Sequence, residues 1–179
     1  VSGPVFGAKG GSRMSAFCCR LELEGITSDS RDPGQRSQID VLSFSWSQTR
    51  NVPAQSGLGS GVGLAHVTDL HLVARTGAAS PLVMVACAAG RIIPIARLTC
   101  SPAGIANAEF LVMTLTGVLV SGYQITGAVE PDAALTDEIV LHFTDITFEY
   151  RARRPDGTLG GTVKGEWNVR ENRSTDPGR

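Results

Sequence analysis

Three histidines, four cysteines and one glycine-rich run are the features of this 179-residue chain whose residue types can support chemistry. His66 and His71 are five positions apart on one expected strand, so they face opposite sides and do not form a ligand pair. His142 falls on the polar parity of its own strand. Cys18 and Cys19 are adjacent and point to opposite faces, so they neither share a partner nor pair readily with each other. No CxxC occurs, which removes the usual zinc spacing. Cys18, Cys19, Cys87 and Cys100 are therefore expected to be buried, reduced, small apolar residues. The run GLGSGVG resembles a phosphate loop only in composition. From Gly57 the third position of GxGxxG is Val62, from Gly59 it is Leu64, and the segment leads into a strand where phosphate loops lead into a helix. Glu22 and Glu24, like Asp137 and Glu138, read as solvated or interface charges, because no spacing brings two carboxylates together for acid–base work. There is no GxSxG elbow. The expectation is a protein that is not an enzyme and holds no metal or cofactor.

The elements that must position these residues are mostly strands. Charged residues make up 18% of the chain and the net charge is −1. That balance gives no electrostatic case for nucleic acid or for an anionic membrane surface. No apolar run approaches the length of roughly 20 residues that a membrane helix needs. Residues 1–13 are Gly-rich and patternless, expected as a flexible extension or cloning remnant before Met14, with no cleavable signal peptide. Residues 14–172 read as one domain and 173–179 as a flexible tail, with fraying expected from Glu171.

Alternation marks a first strand at Phe17, Cys19, Leu21 and Leu23. A second covers Ile39–Ser47, with Leu42, Phe44 and Trp46 on one face and Ser43, Ser45 and Ser47 on the other. Asn51–Gly63 is a long Gly/Ser-rich loop, and Val67–Ala74 resumes as strand. Ser80–Gly90 reads as the one helix, with Ser80 as N-cap, Pro81 at the first helical position and Gly90 in the left-handed position that ends it. Its apolar Leu82, Val83, Val85, Ala86 and Ala89 imply packing on a sheet. Ile93–Cys100 follows as strand, and Thr162–Val169 is the last.

Two long strands between them share one irregularity. Leu111, Met113 and Leu115 give way to Val118 and Val120, and Ile139, Leu141 and Phe143 give way to Ile146, Phe148 and Tyr150. Each slip reverses the buried face, at Gly117 and at Asp145, as in a strand that passes between layers. The predicted fold class is mostly β: an antiparallel barrel of two packed sheets, about eight strands, with one short flanking helix. The serine face reads either as the wet side of a half-exposed sheet or as a smooth uncharged wall lining a water-filled channel.

Three stretches, GITSDSRDPGQRSQIDVLSFSW (25–46), SPLVMVACAAGR (80–91) and GGTVKGEWNVR (160–170), occur in an order and spacing that resemble the haemolysin-coregulated proteins (Hcp) of type VI secretion. Further matching positions are Asp69, Leu98, Thr99, Glu109, Thr114, Ser121, Phe143 and Asn172, so the resemblance runs from about Phe17 to Asn172. The chain departs from the common pattern at Ser28-Asp29-Ser30 and Gly90-Arg91-Ile92, and its 51–63 loop is its own. The resemblance implies a structural tube subunit: a homohexameric ring that stacks into a hollow tube for effector delivery. The implied partners are copies of the chain itself, sheath and spike proteins, and secreted effectors, with neither nucleic acid nor membrane insertion. It also implies synthesis in the bacterial cytoplasm and export by the secretion machine. The alternative is a free secreted ring acting as effector chaperone or adaptor. On this reading Ser43, Ser45 and Ser47 face the lumen and meet the cargo there without binding it tightly. Gln48, Arg50, Asn51, Gln55, Leu58, Val62 and Leu64 lie on a loop that projects axially for ring stacking.

Overall fold

The computed structural model describes residues 17–28, 38–50, 64–105, 108–129, 134–154 and 158–175. Among the described residues, ten strands and one helix follow in the order β1 (Phe17–Leu23), β2 (Gln38–Ser45), β3 (Gln48–Arg50), β4 (Ala65–Val67), β5 (Leu70–Arg75), α1 (Ser80–Ala88), β6 (Ile92–Pro102), β7 (Leu111–Thr126), β8 (Thr136–His142), β9 (Asp145–Arg153) and β10 (Leu159–Asn168). All pairings among them are antiparallel. Six strands, ordered β7-β6-β1-β2-β5-β8, close into a barrel because β7 also pairs with β8. The mostly-β fold class is as the sequence patterning implies. Its core is filled by Leu21, Leu23, Leu70, Leu98, Leu115, Ile139 and Leu141, all essentially removed from water. Each such side chain contributes about 1.5–3 kcal/mol of burial.

The phase slip in β7 has a clear structural consequence. Residues 111–116 pair with β9, and pairing with β8 starts at Leu119↔His142. Gly117 sits between these two stretches at φ +60°. That is a conformation L side chains rarely adopt. A Cβ there would meet Thr144 Oγ1 at 2.5 Å. On the 111–116 side of Gly117, β9 pairs with β7 and carries β10, so the sheet continues past the barrel as a two-stranded wing. The pattern of Ile139–Tyr150 is correspondingly two strands, not the single long one expected. The chain breaks at Phe143–Thr144, where Thr144 N–H bonds back to Thr116 O at 3.0 Å.

Three local expectations need correction. Leu42 does not share the inward face of Phe44 and Trp46. The β2–β5 register gains a residue between Val41 and Ser43, as at a bulge. Burial therefore passes from Ile39 and Val41 to Phe44 and Trp46, and Leu42 is left 48% exposed. Ser80 is not the N-cap. Ala79 holds that place without a side-chain bond, while the Ser80 hydroxyl accepts from Gly77 N–H at 2.9 Å and donates to the buried carboxylate of Asp137. The Cys19–Cys100 pair is not reduced. These residues stand directly opposite each other on β1 and β6, and their sulfurs form a disulfide, whereas Cys18 and Cys87 are free.

The helix end is as expected, with glycine in the left-handed position that lets the last carbonyls find donors. Gly90 lies at φ +61°, Gly90 N–H bonds to Cys87 O at 3.2 Å, and Arg91 N–H bonds to Ala86 O at 3.1 Å. The helix buries a narrower face than its composition implies, only Ser80, Val83 and Ala86. Asp137, 2% exposed, anchors it by also accepting from Thr76 Oγ1 at 2.8 Å and Tyr123 Oη at 3.1 Å. Burial first, then the charge of Asp137, raises the Tyr123 phenol above its ordinary pKa. Residues 171–175 make contacts back to β10. Asn168 and Arg173 form a β-bridge, and Thr175 Oγ1 donates to Glu166 at 3.0 Å.

Candidate assembly surfaces

Outside the closed barrel lie a wing and an arm, with the outer side of α1 as a third surface. The first is the β9–β10 wing. Ile146, Phe148 and Tyr150 share one face of β9, opposite Trp167, Gly165 and Val163 of β10. Ile146 is buried at the root, but Phe148, Tyr150 and Val163 run beyond the core, and Val163 is 71% exposed. Gly165 leaves open space where a side chain would shield Phe148. Among the described residues β9 is the one strand paired with β10, whose other edge is met at its end by the Asn168–Arg173 bridge and is otherwise an edge that a further strand could join. The outer side of α1 adds a separate apolar area of Leu82, Met84 and Val85, the last 56% exposed. Parity made Phe148 and Tyr150 look like core residues. Only the topology shows that nothing described in the same chain covers them.

The second surface is an arm. β3 and β4 form their own two-stranded sheet, registered from Gln48↔Val67 to Arg50↔Ala65. Two clamps fix its root. Thr68 N–H donates to Ser47 O at 3.0 Å while Ser47 N–H donates to Thr68 Oγ1 at 3.1 Å. On the other side, the Asn172 side chain takes Ala65 N–H at 3.0 Å and donates to Ala65 O at 2.7 Å. One amide, with an acceptor and a donor, thus imitates a neighbouring strand. Asn172 itself adopts φ +53°. Asparagine tolerates that region better than most residues.

Against this geometry, the residues singled out from sequence divide. Ser43 and Ser45 are exposed on β2, opposite Val73 and His71 of β5. Ser47, also exposed, lies past the end of β2 at the root of the arm, with its Oγ 3.3 Å from Thr68 Oγ1. Gln48 and Arg50 are exposed on β3, and Leu64 is 76% exposed just before β4. Asn51, Gln55, Leu58 and Val62 lie outside the described residues. Sequence reasoning missed Asn172 as a clamp because nothing local ties it to a strand 107 residues earlier.

The histidines come no closer to chemistry. His66 and His71 lie on different strands, β4 and β5. The Nδ1 of His142 is 2.9 Å from Asp69 Oδ1, and Ser121 Oγ donates to Asp69 Oδ2 at 2.8 Å. The carboxylate therefore sits between serine and imidazole, whereas a hydrolytic triad places the imidazole in the middle. Among the described residues no three His, Cys, Asp or Glu side chains are grouped to hold a metal ion.

Comparison with known proteins converges on one family. A family model described as "Type VI secretion system effector, Hcp" matches residues 21–150. Protein hcp1 of Pseudomonas aeruginosa is 34% identical over 154 residues, covering 85% of this chain and 94% of that protein. Among solved structures, Hcp1 from Salmonella typhimurium superposes with a TM-score of 0.72 at 27% identity, covering 89% of this chain and 99% of its own. Another, titled "Structure of a type six secretion system protein", gives a TM-score of 0.82 at 25% identity over 89% of this chain and all of its own. With matched sequence over most of its length and the same barrel, the chain belongs to the Hcp family of type VI secretion proteins.

Proposed function

We propose that this chain is a structural subunit of the type VI secretion tube, forming six-membered rings that stack into a hollow tube for effector delivery. The observation that carries the reading is the uncovered wing. Phe148, Tyr150, Val163 and an open β10 edge are surfaces that a lone soluble molecule keeps at a cost and a neighbouring copy covers. A head-to-tail contact between two different patches closes into a ring when its rotation divides a full turn. The wing and the outer side of α1 are two such patches. The protein is not an enzyme on this reading. It is made in the bacterial cytoplasm and exported by the machine it helps to build, with sheath, spike and effector proteins as its partners.

The arm is the proposed contact between rings, with Gln48, Arg50 and Leu64 at its described base. Ser43, Ser45 and Ser47 are the proposed lumen wall, where small hydroxyl groups neither obstruct nor tightly hold passing cargo. Native mass spectrometry tests the ring directly: six copies are expected, and a stable monomer at micromolar concentration overturns the reading. Deleting residues 55–61 is expected to preserve rings and weaken tubes seen by electron microscopy. Tubes that form equally well without that segment would remove the arm from stacking. Ser45→Gln is expected to leave the ring intact and reduce co-purified cargo.

A further inference from the structure

Arg20, Asp40 and Arg75 stand in one row on the outer face of three neighbouring strands. Arg20 of β1 is registered with Asp40 of β2. Val41↔Ala74 then sets Asp40 beside Arg75 of β5, and Arg75 follows the fully buried Ala74, so it points outward. Asp40 lies 4.0 Å from Arg20 with its own side chain 66% exposed. So open a pair is weak, and it neutralises the guanidinium only in part. Among the described residues Arg75 has no ion-pair partner. The row borders a groove. Beyond Val41, β2 bulges at Leu42 and follows β5, while β1 stays registered with β6. The strands part over a cleft of about 900 Å³ lined by Arg20, Asp40, Leu42, Ser43 and Arg75 among others. A second hollow of about 230 Å³ adjoins it toward Pro102 of β6, since Cys18 and Arg20 line both. Each hollow has an exposed apolar side chain in its lining, Leu42 in the first and Ile105 in the second.

From this row we infer that the groove docks an extended segment of another protein, in polyproline-II conformation, that carries carboxylates three residues apart. The spacing is the argument. Arg20 and Arg75 are two strands apart, which is about 9.6 Å across a sheet. A polyproline-II chain rises about 9.3 Å in three residues and returns to the same side each time. A segment crossing the strands thus presents one carboxylate to each guanidinium, which takes it with paired N–H donors. Between them it passes Asp40 with an uncharged residue, and its apolar side chains rest on Leu42 and Ile105. Asp40 also sets the class of occupant. A nucleic acid has a charge on every unit and brings phosphate against that carboxylate, whereas a peptide can space its charges to avoid it. Identifying the other protein as secreted cargo rests on the lumen reading, because Ser43 belongs to both surfaces. The docking itself lies within one chain and is measured with or without a ring.

The test uses the full chain with Cys87→Ser, which keeps Cys18 as the one free thiol, on the same strand face as Arg20. The probe is a short peptide of glutamate, leucine and proline with its glutamates three apart. At saturating peptide, alkylation of Cys18 by iodoacetamide, read by intact mass, is expected to slow by about threefold or more as access is lost. In fluorescence anisotropy, Arg75→Glu is expected to weaken binding by about tenfold or more, because one charge-assisted pair is replaced by two like charges. Placing the same glutamates side by side in the peptide is expected to weaken it by about threefold, and lysine in their place to abolish it. Circular dichroism melts establish that Arg75→Glu is folded, and Arg20→Gln is the second variant should it not be. Single chains and rings are expected to bind alike, so loss of the ring leaves this measurement standing. Unchanged alkylation, equal affinity for the regrouped or lysine peptide, or full binding by the folded variants would each overturn the proposal. Tighter binding of oligothymidylate would overturn it in favour of a nucleic acid. Loss of peptide binding as the protein concentration rises would do so in favour of a second copy.

Discussion

The closed barrel and the β9–β10 wing are built from the same kinds of strand, yet they treat apolar side chains in opposite ways. Inside the barrel, every strand has neighbours on both sides and Leu21, Leu70 and Leu141 are sealed from water. In the wing, β9 has a neighbour on each side but β10 has only one among the described residues, and Phe148, Tyr150 and Val163 are open to solvent. The barrel therefore carries the stability of the single chain. The wing carries apolar area that adds little to that stability until something covers it.

The largest expected effect sharpens this division. Leu141 is fully buried. Leu141→Ala should destabilise the monomer by about 2–5 kcal/mol in urea unfolding. Tyr150→Glu, on the wing, should change monomer stability by less than about 0.5 kcal/mol. The same substitution should reduce association sharply in sedimentation velocity. If Tyr150→Glu proved as destabilising as Leu141→Ala, the wing would have to be counted as core.

Gly117, where β7 leaves one partner for the other, joins the two regions. Gly117→Val forces a left-handed backbone on a β-branched residue and drives its Cβ into Thr144. A loss of about 2–4 kcal/mol is expected, with the midpoint of unfolding as the readout. A neutral result would mean that the crossing does not depend on this backbone conformation. A smaller effect is expected at the arm. Asn172→Ala removes both hydrogen bonds to Ala65 and should speed amide exchange there. Each such bond is worth about 0.5–1.5 kcal/mol. Rings should persist and tube length should fall. The smallest effect is on pH dependence. Folding raises the Tyr123 pKa, so the folded state holds that proton more tightly than the unfolded state. Stability should therefore decline only as pH rises past the ordinary phenol value of 10.0. Asp137→Asn should soften that decline, as seen in melting temperatures compared between pH 9 and 11.

How much of this was legible in the sequence depends on whether the controlling interaction is local. The reversal at Gly117 was readable because Leu115 and Val118 cannot both face inward on an unbroken strand. Gly90 was readable because helix termination is a short-range requirement. Ser80 misled because a serine before a proline fits a cap, while its hydroxyl is taken by Asp137, 57 residues away. The disulfide was invisible for the same reason. Pairing Cys19 with Cys100 needs the β1–β6 register, and their 81-residue separation gives no hint of it. The serines were found as a face, but their parity says nothing about what that face looks onto. The wing was missed because alternation reports which side of a strand is apolar and not whether anything lies against it.

The amide of Asn172 has a consequence for the order in which the molecule matures. Ala65 leaves the ribosome 107 residues ahead of the side chain that fixes it. A nascent chain therefore carries the arm and its Ser47–Thr68 clamp before it carries the second clamp, Asn172. The outer end of the arm is thus among the last parts of the molecule to be set.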